Sequence, residues 1–269
     1  MTDKIADLEE IAKRLKGILE AAYPSQKGKL GRPRANLKLI AKGILHVLVE
    51  GIRWRALPRG FGAKSTVHKY FLELAGSGVF QEMLIPLVKE GIKIGLFRCD
   101  MMIVDGADRP VKNMQEEDAG YGYKYRGKRS VKITLITEKQ GIPIGLDVRS
   151  GGVHDIKGLE PAVENLLVRE AENEPPKLLA DRGYCGEGPK AVMKKHGLNL
   201  ITPEKSNSKR KNTRTEKDLI KNHRWKVEGA LKRLFSFRRV DYCTDQTIIS
   251  YMGWCHLALA CILVRHSSF

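Results

Sequence analysis

The sequence has few cysteines, and their positions lack the spacings that would make them structural. Five cysteines are scattered along 269 residues, and no two of them form a CxxC pair. An odd number without paired spacing argues against a disulfide framework and against a zinc site. We therefore expect reduced thiols that are mostly buried.

Long apolar runs are also missing from the sequence. The longest, residues 254–264, is far shorter than the roughly 20 residues that cross a bilayer. The N-terminal segment MTDKIADLEE is acidic and has no apolar signal core. Both absences predict a soluble, cytoplasmic protein without a membrane partner.

Acidic residues are scarce relative to basic ones. Lys and Arg total 48 against 31 Asp and Glu, which leaves a net charge of +17 at pH 7. Such an excess attracts phosphate backbones, so nucleic acid is the expected partner. With 42% hydrophobic residues, the chain can still bury the core of one large domain or two smaller ones.

The first 97 residues follow the apolar period of helices. The pattern predicts helices over residues 5–19, 37–49, 66–74 and 79–94. Ser65 or Thr66 is the expected cap of the third helix, because a hydroxyl can accept a hydrogen bond from a free N–H of the first turn. We interpret residues 1–97 as a small all-helical region for DNA binding or dimerisation.

From residue 98 the pattern changes to strands that alternate with helices. It predicts strands over residues 101–104, 131–137, 142–148, 177–180 and 198–202, and helices over residues 156–169, 188–196, 218–237 and 247–264. The second and third strands form a hairpin around the turn EKQG. This order predicts an α/β domain over residues 98–269, with a mixed sheet covered by helices on both faces. The basic stretch 203–217 is interpreted as a mobile loop.

Three carboxylates are candidates for a metal site. Asp105 and Asp181 each follow a short predicted strand, and Glu228 lies on a later helix that is crowded with Lys and Arg. Mg²⁺ needs only a few carboxylate ligands plus the phosphate of a substrate. Two such ions suit phosphodiester chemistry, because one activates the attacking oxygen and the other stabilises the leaving oxygen.

Each acid also has an ordinary explanation. Asp181 could cap a turn, and Glu228 could form a salt bridge with Arg224 or Lys232, which lie one helical turn to either side. Only the combination in so basic a chain favours the metal site. Three further acids are rivals: Asp108, which the pattern places outside the strand, Asp147, and Asp155, which is expected to cap a helix.

Several basic residues are candidates for phosphate contacts. They lie around Glu228 (Lys221, Arg224, Lys232 and Arg238), in the basic loop (Lys209, Arg210 and Lys211) and in the segment GYGYKYRGK (Lys124, Arg126 and Lys128). In that last segment Tyr121, Tyr123 and Tyr125 alternate with the basic residues, which suits stacking on unpaired bases. Packing of these tyrosines on the sheet is an equally good explanation. Trp54 and Trp225 are expected in a core or an interface.

Four segments in register resemble the DDE transposases of bacterial and archaeal insertion sequences, in the insertion-sequence-four and -five groups. GRPRANLKLIAKGILHVLVEGIRWRALPRG is similar to the N-terminal helical region of those groups, and VDGADRPVK, ADRGYCG and VEGALKRLFSFRR are similar to the three catalytic motifs. The resemblance implies a ribonuclease-H-like domain in which Asp105, Asp181 and Glu228 hold two Mg²⁺ or Mn²⁺ ions. It also implies cleavage of double-stranded DNA at terminal inverted repeats, attack of the 3′-OH on target DNA, and a homodimer on the DNA.

The third motif departs from the family pattern at three positions. Arg224 matches the arginine that the family has before its glutamate, but Lys221 stands in place of a tyrosine. The basic residue expected after the glutamate falls on Phe235, so Lys232 or Arg238 is the expected substitute. Gly229 stands where a common relative has arginine.

Two other functions are compatible with the same residues. A ribonuclease-H-like nuclease would hydrolyse DNA without joining it. A repurposed transposase without catalysis would only bind DNA, with an affinity that falls as salt rises.

Overall fold

A computed structural model describes residues 2–24, 35–96, 98–122, 127–168, 174–204 and 211–267. Within them the first five helices are α1 (Thr2–Ala22), α2 (Leu37–Glu50), α3 (Lys64–Gly76), α4 (Val79–Glu82) and α5 (Leu84–Lys93). The strands are β1 (Met101–Pro110), β2 (Gly120–Tyr121), β3 (Arg129–Glu138), β4 (Pro143–Ser150), β5 (Lys177–Leu179) and β6 (Asn199–Ile201). The later helices are α6 (Asp155–Glu164), α7 (Glu187–Lys195), α8 (Arg214–His223), α9 (Trp225–Leu234), α10 (Arg238–Asp241) and α11 (Ile248–Ser267).

The strands form one mixed sheet, as the alternating pattern predicted. β1 lies in the middle, antiparallel to β3 along its length and parallel to β5, which in turn pairs in parallel with β6. The outer side of β3 pairs with β4 and, at its first residues, with β2. The predicted hairpin is therefore present, and its turn closes through Gly141, which has a φ of 90°.

Helices cover both faces of the sheet. Val227 of α9 packs with Ile103 of β1 on one face. On the other face Gly158 of α6 lies against Thr134 of β3 so closely that a Cβ would come within 2.3 Å of the threonine hydroxyl. The element order and the layers thus agree with the α/β expectation.

The N-terminal helices pack onto the C-terminal helix. α1 contacts both α2 and α11, and one apolar cluster includes Leu15 of α1, Ile44 of α2 and Leu259 of α11. The fully buried Trp254 of α11 stacks on Phe71 of α3, with their ring centroids 3.8 Å apart. The division of the chain at residue 97 stays a prediction, because this core is continuous across it.

Helix α11 is apolar for nearly its whole length. Among the described residues it is the single unbroken helix long and apolar enough to cross a membrane, and 78% of that stretch is buried inside the protein. It therefore packs as a core helix of the protein. Four of the five cysteines are buried, Cys185 is partly exposed, and all five are thiols outside any disulfide.

Several predicted helix boundaries were wrong. The expected helix over 79–94 is broken at Met83, and the expected helix over 156–169 ends at Glu164. There the chain turns back to the sheet, since Leu167 donates its N–H to the carbonyl of Ile144 on β4 instead of continuing the helix. The third helix begins at Lys64 without a side-chain cap, so neither Ser65 nor Thr66 has the predicted role.

The helix that carries Glu228 begins earlier than predicted. Thr213 and Glu216 form a capping box, in which each side chain accepts a hydrogen bond from the backbone of the other. Residues 214–217 are therefore helical, so the prediction of a loop over them was wrong. The helix is interrupted at Arg224 between α8 and α9, although Arg224 itself keeps helical angles, φ −53° and ψ −38°.

Gly51 ends α2 in a left-handed conformation that favours glycine. Its φ is 64°, and a Cβ at this position would lie 2.7 Å from the Cβ of Arg238. We expect Gly51→Ala to lower the free energy of unfolding by about 2 kcal/mol, measured by urea denaturation. Gly76→Ala is the control, because Gly76 has open space around it. An equal loss in both variants would contradict this role of the left-handed angle.

Candidate active site

The pairing of β1 with β5 brings Asp105 and Asp181 side by side. Ile103 pairs with Leu179 across the two parallel strands, and each aspartate follows two residues later in its own chain. Because side chains on a strand alternate between faces, Asp105 shares the face of Ile103. The prediction that Asp105 ends its strand was wrong, since β1 continues to Pro110. Its neighbour β5 ends first, which leaves the side of β1 open beside Asp105.

Asp181 lies at the turn that follows β5. Its Oδ1 accepts a hydrogen bond of 2.6 Å from the N–H of Gly183 and caps a single turn of 3-10 helix. The ordinary explanation of Asp181 as a turn cap is therefore correct for its conformation. The cap also fixes the direction of the carboxylate.

Helix α9 brings Glu228 to the same face of the sheet. Val227 packs in a small apolar cluster with Met101, Ile103, Leu179 and Ile201, at the strand ends from which the two aspartates follow. The next residue, Glu228, lies at the margin of this apolar contact and is exposed. Its Oε1 is 3.2 Å from Nη2 of Arg224, so the alternative of a salt bridge is also present.

The three acids lie close enough to influence one another. Burial raises the pKa of Asp105, and the negative charges of Asp181 and Glu228 raise it further. The N–H of Gly106 and the charge of Arg224 act in the opposite direction. A divalent cation would remove this mutual repulsion, and oxygen donors of this kind suit Mg²⁺ or Mn²⁺. The residues therefore fit such an ion.

The side chains of the three acids do not converge on one point. They are directed to the N–H of Gly106, the N–H of Gly183 and the guanidinium of Arg224. Within the part of the chain that the structure describes, three other ligand atoms lie within 4.8 Å of one another, on Glu160, Glu164 and His196. A hydrogen bond of 3.0 Å between His196 and Glu160 accounts for much of that grouping.

The rival acids have local partners. Lys132 lies between Asp155 and Asp108, with Nζ 2.6 Å and 3.4 Å from their Oδ1 atoms. Asp108 is buried within β1, so its predicted place outside the strand was wrong. The cap of α6 is His154 and not Asp155. Asp147 pairs with Arg149 at 2.7 Å.

Arg109 is a residue that the sequence analysis missed. It lies on β1 four residues after Asp105, on the same face of the strand. Its guanidinium carbon is 3.2 Å from the ring centroid of Phe235, and its Nε is 3.2 Å from Oδ1 of Asp241. The guanidinium of Arg109 therefore lies over Phe235, the position at which the family pattern has a basic side chain. The strand alternation from Asp105 was the signal that could have identified it.

The predicted DNA contacts divide into four groups. Lys221, Arg224 and Lys232 lie on α8 and α9 near Glu228, and Lys128 and Lys211 are exposed elsewhere. The Cβ and backbone of Arg238 lie against Gly51 at the end of α2. Lys124, Arg126, Lys209 and Arg210 lie outside the described residues, as do Tyr123 and Tyr125.

The aromatic residues near the site differ from expectation. Trp225 is 59% exposed, so its predicted place in the core was wrong, while the alternative of an interface stays a prediction. Its Nε1 donates to the carbonyl of Asn222 at 3.0 Å. Since residues three apart share one side of a helix, Trp225 lies beside Glu228. Tyr121 is also exposed, whereas Trp54 is half-buried against Trp254.

The contact of Arg109 with Phe235 holds α9 against β1. We expect Arg109→Ala to lower the free energy of unfolding by about 1–2 kcal/mol, because it removes a cation–π contact and an ion pair. Arg109→Lys keeps the charge but loses the planar stacking, so it should recover only part of the loss. Urea denaturation measures both variants, and full recovery by lysine would contradict the stacking role.

The comparisons with known proteins identify the family and the fold. A family model described as a transposase of the IS4/5 family matches residues 13–84, and the model of the transposase DDE domain matches residues 100–261. No curated protein matches the chain. The cryo-EM structure of the piggyBac transposase synaptic complex with hairpin DNA is similar in fold, with a TM-score of 0.53 and 10% identity, over 99% of this chain and 75% of that one. The chain therefore belongs to the DDE transposases, and its sheet and flanking helices are the ribonuclease-H-like fold of that family.

Proposed function

We propose that the protein cleaves DNA at the ends of an insertion sequence and transfers the exposed strand into target DNA, with Asp105, Asp181 and Glu228 as the catalytic carboxylates. The observation that carries the proposal is the register of β1 and β5, which makes Asp105 and Asp181 neighbours. The packing of Val227 on the same cluster brings Glu228 beside them. The raised pKa of Asp105, to which the charges of Asp181 and Glu228 contribute after burial, supports their proximity.

The three carboxylates would hold two Mg²⁺ or Mn²⁺ ions. Such ions lower the pKa of an attacking water and stabilise the leaving oxygen of a phosphodiester. The role of the protein is to fix the acids, to bind the DNA backbone and to keep the scissile phosphate in line. The partly buried position of Asp105 anchors one carboxylate on a rigid central strand.

The proposed reaction has two steps of the same kind. In the first, the oxygen of a water attacks the phosphorus at the end of the element, and the bond to the 3′ oxygen breaks to give a free 3′-OH. In the second, that 3′-OH attacks a phosphodiester of target DNA, and the target strand leaves with its own 3′-OH. No covalent bond between protein and DNA is needed.

The basic side chains near Glu228 suit the backbone of the DNA. Lys221, Arg224 and Lys232 are placed to contact phosphates, and the exposed Trp225 suits stacking on a base. Two ends of the element must be held together, so we expect a homodimer on terminal inverted repeats. We also expect the protein in the cytoplasm, associated with the nucleoid that carries its DNA.

The test uses the DNA that flanks the reading frame, which supplies the terminal repeats. Labelled duplexes of these ends are incubated with the full chain and Mg²⁺ or Mn²⁺. We expect nicked products with a 3′-OH, followed by joined products with a target duplex. Hydrolysis without joining would identify a nuclease instead. Binding that weakens with salt, without any cleavage, would identify a silent DNA-binding protein.

A further inference from the structure

One side of α8 and the start of α9 carries a regular row of cations. Arg214, Lys217, Lys221 and Arg224 are spaced three, four and three residues apart, and Glu228 follows after four more. Because Arg224 keeps helical angles, this spacing keeps all five residues on one side of the two helices. We call the four basic residues the cationic row.

The cationic row faces away from the core. The residues of α8 that pack against the cluster around Ile103 are Leu219 and Ile220. Arg214, Lys217 and Lys221 are exposed, and none of these three forms an ion pair with another of the described residues. Like charges one turn apart on a helix repel one another, and an anion bound along the row would relieve this repulsion.

The length of the cationic row matches a short stretch of one DNA strand. Ten residues separate Arg214 from Arg224, which is about 15 Å along the helix. The phosphates of one strand are about 3.4 Å apart along the axis of the duplex, so the row spans about four nucleotides. Its last member lies beside the catalytic glutamate.

Arg224 differs from the rest of the row because it already has an anionic partner. Its Nη2 is 3.2 Å from Oε1 of Glu228, and both side chains are partly exposed. Glu228 cannot give the same oxygen fully to a divalent cation and to this guanidinium. A cation bound at Glu228 would also repel Arg224.

We infer that the cationic row binds the phosphate backbone of the strand that is cut, and that Arg224 moves from Glu228 to this backbone when Glu228 binds a divalent cation. The inference deepens the proposed function and rests on it for the role of Glu228. In the free protein Arg224 neutralises Glu228 and lowers its availability to metal. Bound metal then raises the affinity for DNA, because it releases Arg224 to the phosphates, and bound DNA raises the affinity for metal, because it removes Arg224 from Glu228. Linkage makes these two increases in affinity equal.

The first test measures the salt dependence of binding to a duplex without metal. Each phosphate contact contributes about 0.9 to the slope of log affinity against log salt. We expect Lys217→Gln and Lys221→Gln each to reduce the slope by about 1, and a variant with glutamine at 214, 217 and 221 to reduce it by about 3. Lys226→Gln is the control, because Lys226 lies on the side of the helix facing Gly141 and should leave the slope unchanged.

The second test measures Mn²⁺ binding by calorimetry without DNA. We expect Arg224→Gln to bind Mn²⁺ about two- to fivefold more tightly than the natural chain, because removal of an exposed ion pair frees Glu228. Lys221→Gln removes a charge one turn away but leaves the ion pair, so its Mn²⁺ affinity should not change. In a Glu228→Gln background, Arg224→Gln should lose its effect.

Two outcomes would overturn the inference. One is a salt slope that the row variants do not change, and the other is weaker or equal Mn²⁺ binding by Arg224→Gln. Both measurements are independent of cleavage. If they give the expected results and the natural chain neither cuts nor joins DNA, the proposed function fails while the row and its coupling to Glu228 stand.

Discussion

Asp105→Asn is expected to abolish DNA cleavage and joining while it stabilises the metal-free protein. Loss of a ligand to a catalytic metal removes several kcal/mol of transition-state stabilisation, so the rate should fall by about 10³-fold or more. The gain in stability follows from the raised pKa of Asp105. Protonated Asp105 makes its full contribution to the free energy of unfolding below the ordinary pKa of an aspartate. This contribution is lost as pH rises through the raised pKa. Asparagine has no such loss at neutral pH.

Two measurements check this expectation. Cleavage of labelled end duplexes gives the rate, and thermal unfolding in chelator at pH 8 gives the stability. Asp147→Asn is the control, because Asp147 is a buried aspartate whose partner is Arg149. It should keep the activity. If Asp105→Asn cuts DNA as fast as the natural chain does, the assignment of Asp105 is wrong.

Glu138→Gln is expected to remove a pH-dependent loss of stability. Glu138 is fully buried at the end of β3, and burial raises its pKa from 4.5 to about 7 despite hydrogen bonds from the N–H groups of Ile142 and Gln140. The folded protein therefore holds a proton that the unfolded chain has released. As pH rises from about 4.5 to above 7, the free energy of unfolding should fall by about 3 kcal/mol.

The variant keeps the structural contacts of Glu138. The Oε1 of glutamine can accept the same N–H groups of Gln140 and Ile142, which lie 2.7 Å and 3.0 Å from the oxygen in the natural chain. Urea denaturation between pH 5 and pH 8 should give a flatter profile for Glu138→Gln and higher stability at pH 8. Glu117→Gln, at an exposed glutamate, should retain the natural profile. Parallel profiles in all three proteins would contradict the titration of Glu138.

Much of the element order was predictable because it depends on local periodicity. The hairpin of β3 and β4 has alternating side chains and a turn with Gly141, and both signals lie within a few residues of each other. The start of α8 was also predictable from the local sequence, because Thr213 and Glu216 have the T-x-x-E spacing of a capping box. We missed it because the surrounding charge suggested a loop.

The boundaries that failed depend on contacts between distant segments. α6 ends where Leu167 bonds to Ile144, and β1 extends past Asp105 because β3 pairs with it as far as Pro110. A short apolar run in the sequence marks only the apolar part of such a strand. Asp108 therefore looked like a loop residue, although it is buried beside Lys132.

The sequence by itself determined the basic charge, the alternation of strands and helices, and the three motifs whose resemblance identified the family. These properties depend on local sequence or on the summed composition, so they can be predicted without knowledge of the fold. Only the tertiary structure decided that Asp105 and Asp181 are register neighbours and that Arg109 covers Phe235. It also decided that Trp225 is exposed. These facts depend on strand pairing and on how α9 packs against the sheet, and both join residues far apart in the chain.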